Sequence, residues 1–175
     1  MAVNFIPYRT AVAAIDCQDV FLKAQGTQET MQMSDRIDAA VDPVAASGAA
    51  IFSLYSKAGS LGQSGMLESL MGKAISFEKK HESGFVGSDL EKRLKAAYRS
   101  NVIFWGVHTT TCILNSALHS CQRGFNTAVA SDLIGEGLRG RNISSANIQE
   151  RERVALNRMR EAGVIVAPMR ELLGL

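Results

Sequence analysis

Six short apolar runs, rich in small and β-branched residues, punctuate the chain at residues 11–15, 49–55, 74–77, 102–105, 127–130 and 164–167. Each has the length and character of a strand buried on both faces. Between them the apolar positions change period. Ile37, Ala40, Val41 and Val44 fall on one helical face, as do Leu90, Leu94 and Ala97, then Ile113, Ala117 and Leu118, then Ile148, Ala155, Leu156 and Met159. This alternation predicts an α/β protein: a three-layer α/β/α sandwich around a six-stranded parallel sheet, in the common order 3-2-1-4-5-6.

Punctuation supports the helices. Gly48 and Gly124 follow two of them, Ser88 is placed to cap the third, and Asn147 with Glu150 has the spacing of a capping box. Pro43 is expected to break or restart the first. Residues 135–147 form a Gly- and Arg-containing loop long enough to cover a site.

A chain of 175 residues, 46% hydrophobic, suits one core, so a single domain over 1–175 is expected. Its net charge of +2, with 19 basic residues dispersed among 17 acidic ones, argues against nucleic acid as a partner. Residues 1–9 do not read as a secretory leader, and no run approaches the roughly 20 apolar residues of a membrane span. A cytoplasmic protein without a membrane partner is the expectation. The three cysteines, Cys17, Cys112 and Cys121, are an odd number in no metal-like spacing, which speaks against a disulfide framework or a zinc site.

Chemistry gathers where the strands end. Cys112 follows Gly106-Val107-His108-Thr109-Thr110-Thr111 after the fourth run and precedes a helix, and free N–H groups at a helix start favour a thiolate. Asp16 ends the first run, at the sheet edge where such folds bind ligands. With strands one and four adjacent, about 5 Å apart, its carboxylate is within reach of the thiol. Lys79 ends the third run, two places or roughly 10 Å from the first strand, so its loop has to curl inward to bring an ammonium to Cys112. Taken singly, each has an ordinary alternative: a packed thiol, a capping aspartate, a solvated lysine. His108 is a second possible base for Cys112, whereas His81, His119 and Cys121 read as structural. Arg139 and Arg141 are placed to hold a substrate carboxylate, or else are solvated; Phe21, Phe85 and Trp105 either line a pocket or fill the core.

Taken together, Asp16-Cys17-Gln18, Lys79 followed six residues later by Phe85, and Gly106 to Thr109 to Cys112 resemble the signature of the isochorismatase-like cysteine hydrolase superfamily. Cys112-Ile113-Leu114-Asn115 and the stretch from Arg153 to Gly163 are similar to its isochorismatase-domain-containing subgroup. The resemblance implies a triad of Asp16, Lys79 and Cys112, a cis peptide between Val107 and His108, and an oxyanion hole from the backbone N–H groups of His108 and Cys112. It also implies substrate contacts from Gln18 and Phe21, a small-molecule amide or ureide as substrate, and a homo-oligomer, for which residues 31–46 offer a contact face. No cofactor is called for. Nicotinamidases of the superfamily carry a D-x-H metal element after strand two, and Ser53-Leu54-Tyr55-Ser56-Lys57-Ala58-Gly59 lacks it, so no catalytic metal is expected. The competing reading is a catalytically silent member serving as an interaction or scaffold protein.

Overall fold

The computed structural model describes residues 5–22, 28–57, 65–136 and 145–175. The strands are β1 (Thr10–Ile15), β2 (Ala50–Tyr55), β3 (Ile75–Glu78), β4 (Asn101–Val107), β5 (Asn126–Gly135) and β6 (Ile165–Ala167). They pair in parallel in the order β3-β2-β1-β4-β5-β6, as the alternation predicts.

Side chains alternate across this sheet and build two cores. Val12, Ala14, Ile51, Ile103, Trp105 and Ala128 point to one face, where Ile37, Val41 and Val44 of the helix Gln28–Ala46 and Met169 and Leu172 of the helix Met169–Leu173 cover them. Ala11, Ala13, Ile15, Phe52, Leu54, Phe104 and Val129 point to the other. There they meet the helices Leu90–Ala96, Leu114–Gln122 and Ser145–Glu161 through Leu94, Ala117, Ala155 and Met159. In chain order the helices are α1 (Asp19–Leu22), α2 (Gln28–Ala46), α3 (Leu90–Ala96), α4 (Leu114–Gln122), α5 (Ser145–Glu161) and α6 (Met169–Leu173).

Three local expectations need correction. Pro43 lies inside α2 without ending it, because it falls in the last turn, where only one intrahelical bond is lost before Ser47 N–H closes on the Pro43 carbonyl. Asn147 is not a cap, since α5 already runs at Ser145 and Glu150 pairs with Arg153 at 2.6 Å. The fifth strand extends well past Ala130, to Gly135: the β4–β5 register shifts between Phe104 and Gly106, and Ile134 and Gly135 then pair with Gly106 and Val107. Ser88 does help to start α3, its hydroxyl accepting from the Leu90 N–H at 3.2 Å.

Candidate active site

β1 and β4 lie side by side, and at their carboxyl ends the pairing brings Ile15 opposite Gly106. Gly106 has φ +111°, and a Cβ there would collide with the Ile15 carbonyl, so this contact tolerates only glycine. The close approach sets Asp16 beside the turn that leads to Cys112. Asp16 itself takes the left-handed conformation, φ +52°, which aspartate tolerates better than most residues. Its N–H continues the ladder to the Leu54 carbonyl at 2.8 Å.

The carboxylate of Asp16 is fully buried yet fully used. Ser56 donates its hydroxyl to Oδ1 at 2.7 Å, and Lys79 Nζ stands 2.9 Å from Oδ2. Lys79 Nζ also donates to the His81 carbonyl at 3.2 Å and lies 3.6 Å from Cys112 Sγ. Asp16, Lys79 and Cys112 thus meet, and the inward curl that the strand spacing demands has a visible cause. Backbone N–H of Lys79 pairs with the Tyr55 carbonyl at 2.9 Å, which keeps the chain on the sheet for one residue beyond β3. The following loop is then pinned to α4. Ser116 Oγ accepts the Gly84 N–H at 2.8 Å, and His119 Nδ1 lies 2.8 Å from Ser83 Oγ. Gly84 is pressed against Leu54, Ile15 and Leu90, where a Cβ would come within 2.9 Å of the Leu54 side chain.

Cys112 sits in a π-helical turn, Thr109–Ile113, that feeds directly into α4. Such turns recur at functional sites because they re-aim one side chain without ending the helix. Val107-His108 is a cis peptide, as the family resemblance implies. The expectation of a resting thiolate is reversed. Burial pushes the Cys112 thiol up, the Asp16 charge pushes it further, and the opposing pull of Lys79 does not restore it. A thiol beside a carboxylate, with an ammonium between them, has a base within reach for its proton.

A pocket of about 570 Å³ opens over Cys112, walled by Ser56, Lys57, Glu78, Lys79, Lys80, His81 and Glu82. Lys57 is paired with Glu78 at 2.9 Å.

Other sequence expectations fare differently. Gln18 clamps the end of β2, its Oε1 accepting the Ser56 N–H at 2.9 Å and its Nε2 donating to the Ser56 carbonyl at 3.3 Å. Phe85 is core. It packs on Phe104 and Phe125 with the Arg123 guanidinium over its ring, because the pinning of Gly84 turns it toward the α3/α4 layer. Trp105 is likewise fully buried. Phe21 meets the ring of His108 edge-on at 5.4 Å. That ring also stands 3.8 Å, at Nδ1, from Glu136 Oε2. Cys17 is buried and its thiol is pushed far up by burial, as befits an inert packed cysteine; Cys121 is half-exposed on α4. Arg139 and Arg141 lie outside the described residues. Sequence reasoning missed Ser56, Glu136 and Glu152. The first two follow directly on β2 and β5, the positions at which a polar residue after a buried strand is a usable signal.

The segment after β2 presents Ser56 to Asp16 and Lys57 to Glu78, and the pocket wall mixes Lys57, Lys79 and Lys80 with Glu78 and Glu82. Neither Ser56 nor Lys57 belongs to the thiolates, imidazoles and carboxylates that zinc takes. Among the described residues no three His, Cys, Asp or Glu side chains group as metal ligands.

Comparison with known proteins places the chain. No curated protein matches it. Among solved structures, a cysteine hydrolase from Pseudomonas syringae pv. phaseolicola 1448A superposes with a TM-score of 0.79 at 20% identity, over 98% of this chain and 94% of that one. The pyrazinamidase of Pyrococcus horikoshii, in complex with zinc, gives 0.77 at 19% identity, over 92% and 99%. The YcaC gene product from Escherichia coli, described as an octameric hydrolase of unknown specificity, gives 0.79 at 20%, over 97% and 82%. These likenesses establish the fold. The isochorismatase domain family matches residues 10–171, nearly the whole chain, and the protein therefore belongs to the isochorismatase family of hydrolases.

Proposed function

We propose that the protein is a cysteine hydrolase that cleaves a small amide or ureide through a covalent thioester-type intermediate on Cys112. The observation that carries this reading is the buried contact chain Asp16 Oδ2 to Lys79 Nζ at 2.9 Å and Lys79 Nζ to Cys112 Sγ at 3.6 Å, at the foot of a pocket sized for a small molecule.

The steps follow from the groups. Asp16 takes the thiol proton as the sulfur approaches the substrate carbonyl carbon, so the raised thiol pKa is overcome only when a bond is forming. Lys79 shields the two negative centres from one another and orients the carboxylate. Backbone N–H groups of His108 and Cys112 receive the carbonyl oxygen as it becomes an oxyanion. The C–N bond breaks, and the amine leaves with the proton held by Asp16. Water then attacks the acyl carbon as Asp16 takes its proton; the C–S bond breaks, and Asp16 passes that proton to the departing sulfur, freeing the acid and the thiol.

A silent scaffold accounts poorly for the same geometry. Burying an aspartate and a lysine together costs several kcal/mol per ion before their attraction is counted, and a protein with no chemistry to perform gains nothing from a thiol placed against them. A panel of small amides and ureides assayed for ammonia release tests the proposal. At least one should be hydrolysed by the native protein and none by Cys112→Ala. Hydrolysis that survives Cys112→Ala, with the circular dichroism spectrum unchanged, overturns it.

A further inference from the structure

The turn that presents Cys112 is held from outside by two carboxylates that take no part in the triad. Glu136, the residue after β5, accepts the backbone N–H of Thr110 through Oε1, and its Oε2 lies 3.8 Å from His108 Nδ1. Glu152, on α5, accepts both the backbone N–H of Glu136 at 3.0 Å and the hydroxyl of Thr109 at 3.3 Å through a single oxygen. A strand end and a helix from the next layer thereby converge on Thr109 and Thr110. Glu136 is only slightly exposed, its side chain at 14%, so its bond to Thr110 is shielded from competition with water.

The consequence concerns which N–H groups remain for a substrate. Thr111 and Ile113 both send their N–H to the His108 carbonyl, at 3.3 and 3.0 Å, and Glu136 takes that of Thr110. The N–H groups around Cys112 are thus oriented by fixed partners rather than by the substrate.

We propose that Glu136 is a positioning residue: by holding the Thr110 N–H, with Glu152 bracing it, it locks the turn in the shape that aims the Cys112 N–H at the developing oxyanion. This rests on the reading of Cys112 as nucleophile. An amide at position 136 keeps the acceptor oxygen, whereas a methyl group removes it.

The test separates two reactions of the same sulfur. Acylation by 4-nitrophenyl acetate needs the oxyanion donors, and alkylation by iodoacetamide needs only the sulfur. Both are followed at Cys112 by residue-resolved mass spectrometry, in the native protein, Glu136→Ala and Glu136→Gln. Glu136→Ala should lose about 10- to 100-fold in acylation rate, below the loss for complete removal of an oxyanion donor, while alkylation stays within about threefold. Glu136→Gln should stay within about threefold of native in both. Unchanged acylation in Glu136→Ala overturns the proposal, as does a matched loss of acylation and alkylation, or a failure of Gln to rescue. A native protein whose Cys112 is not acylated at all removes the nucleophile reading, and this one with it.

Discussion

At the scale of single residues, the site is a buried set of three ionisable groups in contact. In the proposed mechanism Cys112→Ala deletes the attacking atom. Asp16→Asn keeps the size and the bond from Ser56 but cannot take a proton. Each should remove essentially all hydrolysis, and the double change should look like either single one, because members of one catalytic unit are not additive. Cys121→Ala should leave the rate unchanged. Steady-state kinetics of the four variants checks this, and a double variant much slower than either single one would contradict it. The two buried thiols make a second prediction. Both Cys17 and Cys112 have pKa values raised above the ordinary 9.0, so the native state keeps protons that the unfolded chain gives up. Their stabilising contribution is full below about pH 8.5 and declines as pH rises, for Cys17 by about 1.4 kcal/mol per pH unit. Urea midpoints between pH 8 and 10.5 should fall less steeply for Cys17→Ala than for the native protein. Parallel curves would show that Cys17 is not held protonated by the fold.

At the scale of elements, the close approach of β1 to β4 carries the arrangement. Gly106→Ala places a methyl group into the Ile15 carbonyl at a positive φ, and should destabilise by about 4 kcal/mol or more, or prevent folding. Thermal unfolding of that variant near the native midpoint would contradict the register described here. Phe85→Ala should cost about 3–5 kcal/mol of stability and Phe85→Leu should leave KM unaltered, since the ring is packed on Phe104 and Phe125. The strands, their order and the meeting of Asp16, Lys79 and Cys112 were legible in the sequence because each rests on a local signal: apolar runs, a period of 3.6, polar residues directly after buried strands. The particular contacts made by Gln18, Phe85 and the ring of His108 were not. Their roles depend on which way a loop turns after its strand, and that is fixed by contacts such as Gly84 to Ser116 between residues 32 apart. Glu152 was hidden for the same reason, since it lies on α5 far from Cys112 in the chain, whereas Glu136 follows directly on β5.

At the scale of the molecule, one sheet with a core on each face joins every described element. We expect the chain to unfold as one cooperative unit, with far-ultraviolet circular dichroism and Trp105 fluorescence giving the same denaturation midpoint; two separate midpoints would contradict a single domain. We also expect a homo-oligomer, and light scattering at micromolar concentration that returns the 18.9 kDa monomer mass would contradict that. No helix among the described residues is long and apolar enough to cross a membrane.

The central claim, that Asp16 activates Cys112 for attack on a carbonyl, is tested most directly by intact-protein and peptide mass spectrometry after rapid quenching of a reaction with 4-nitrophenyl acetate. Simple alkylators are less decisive, because Cys112 is buried while Cys121 is half-exposed and gains from access alone. The native protein should carry one acetyl group on Cys112, and Asp16→Asn should form it at least about 100-fold more slowly. Acetylation confined to Cys121 or surface lysines, or an Asp16→Asn rate equal to the native one, would contradict the mechanism.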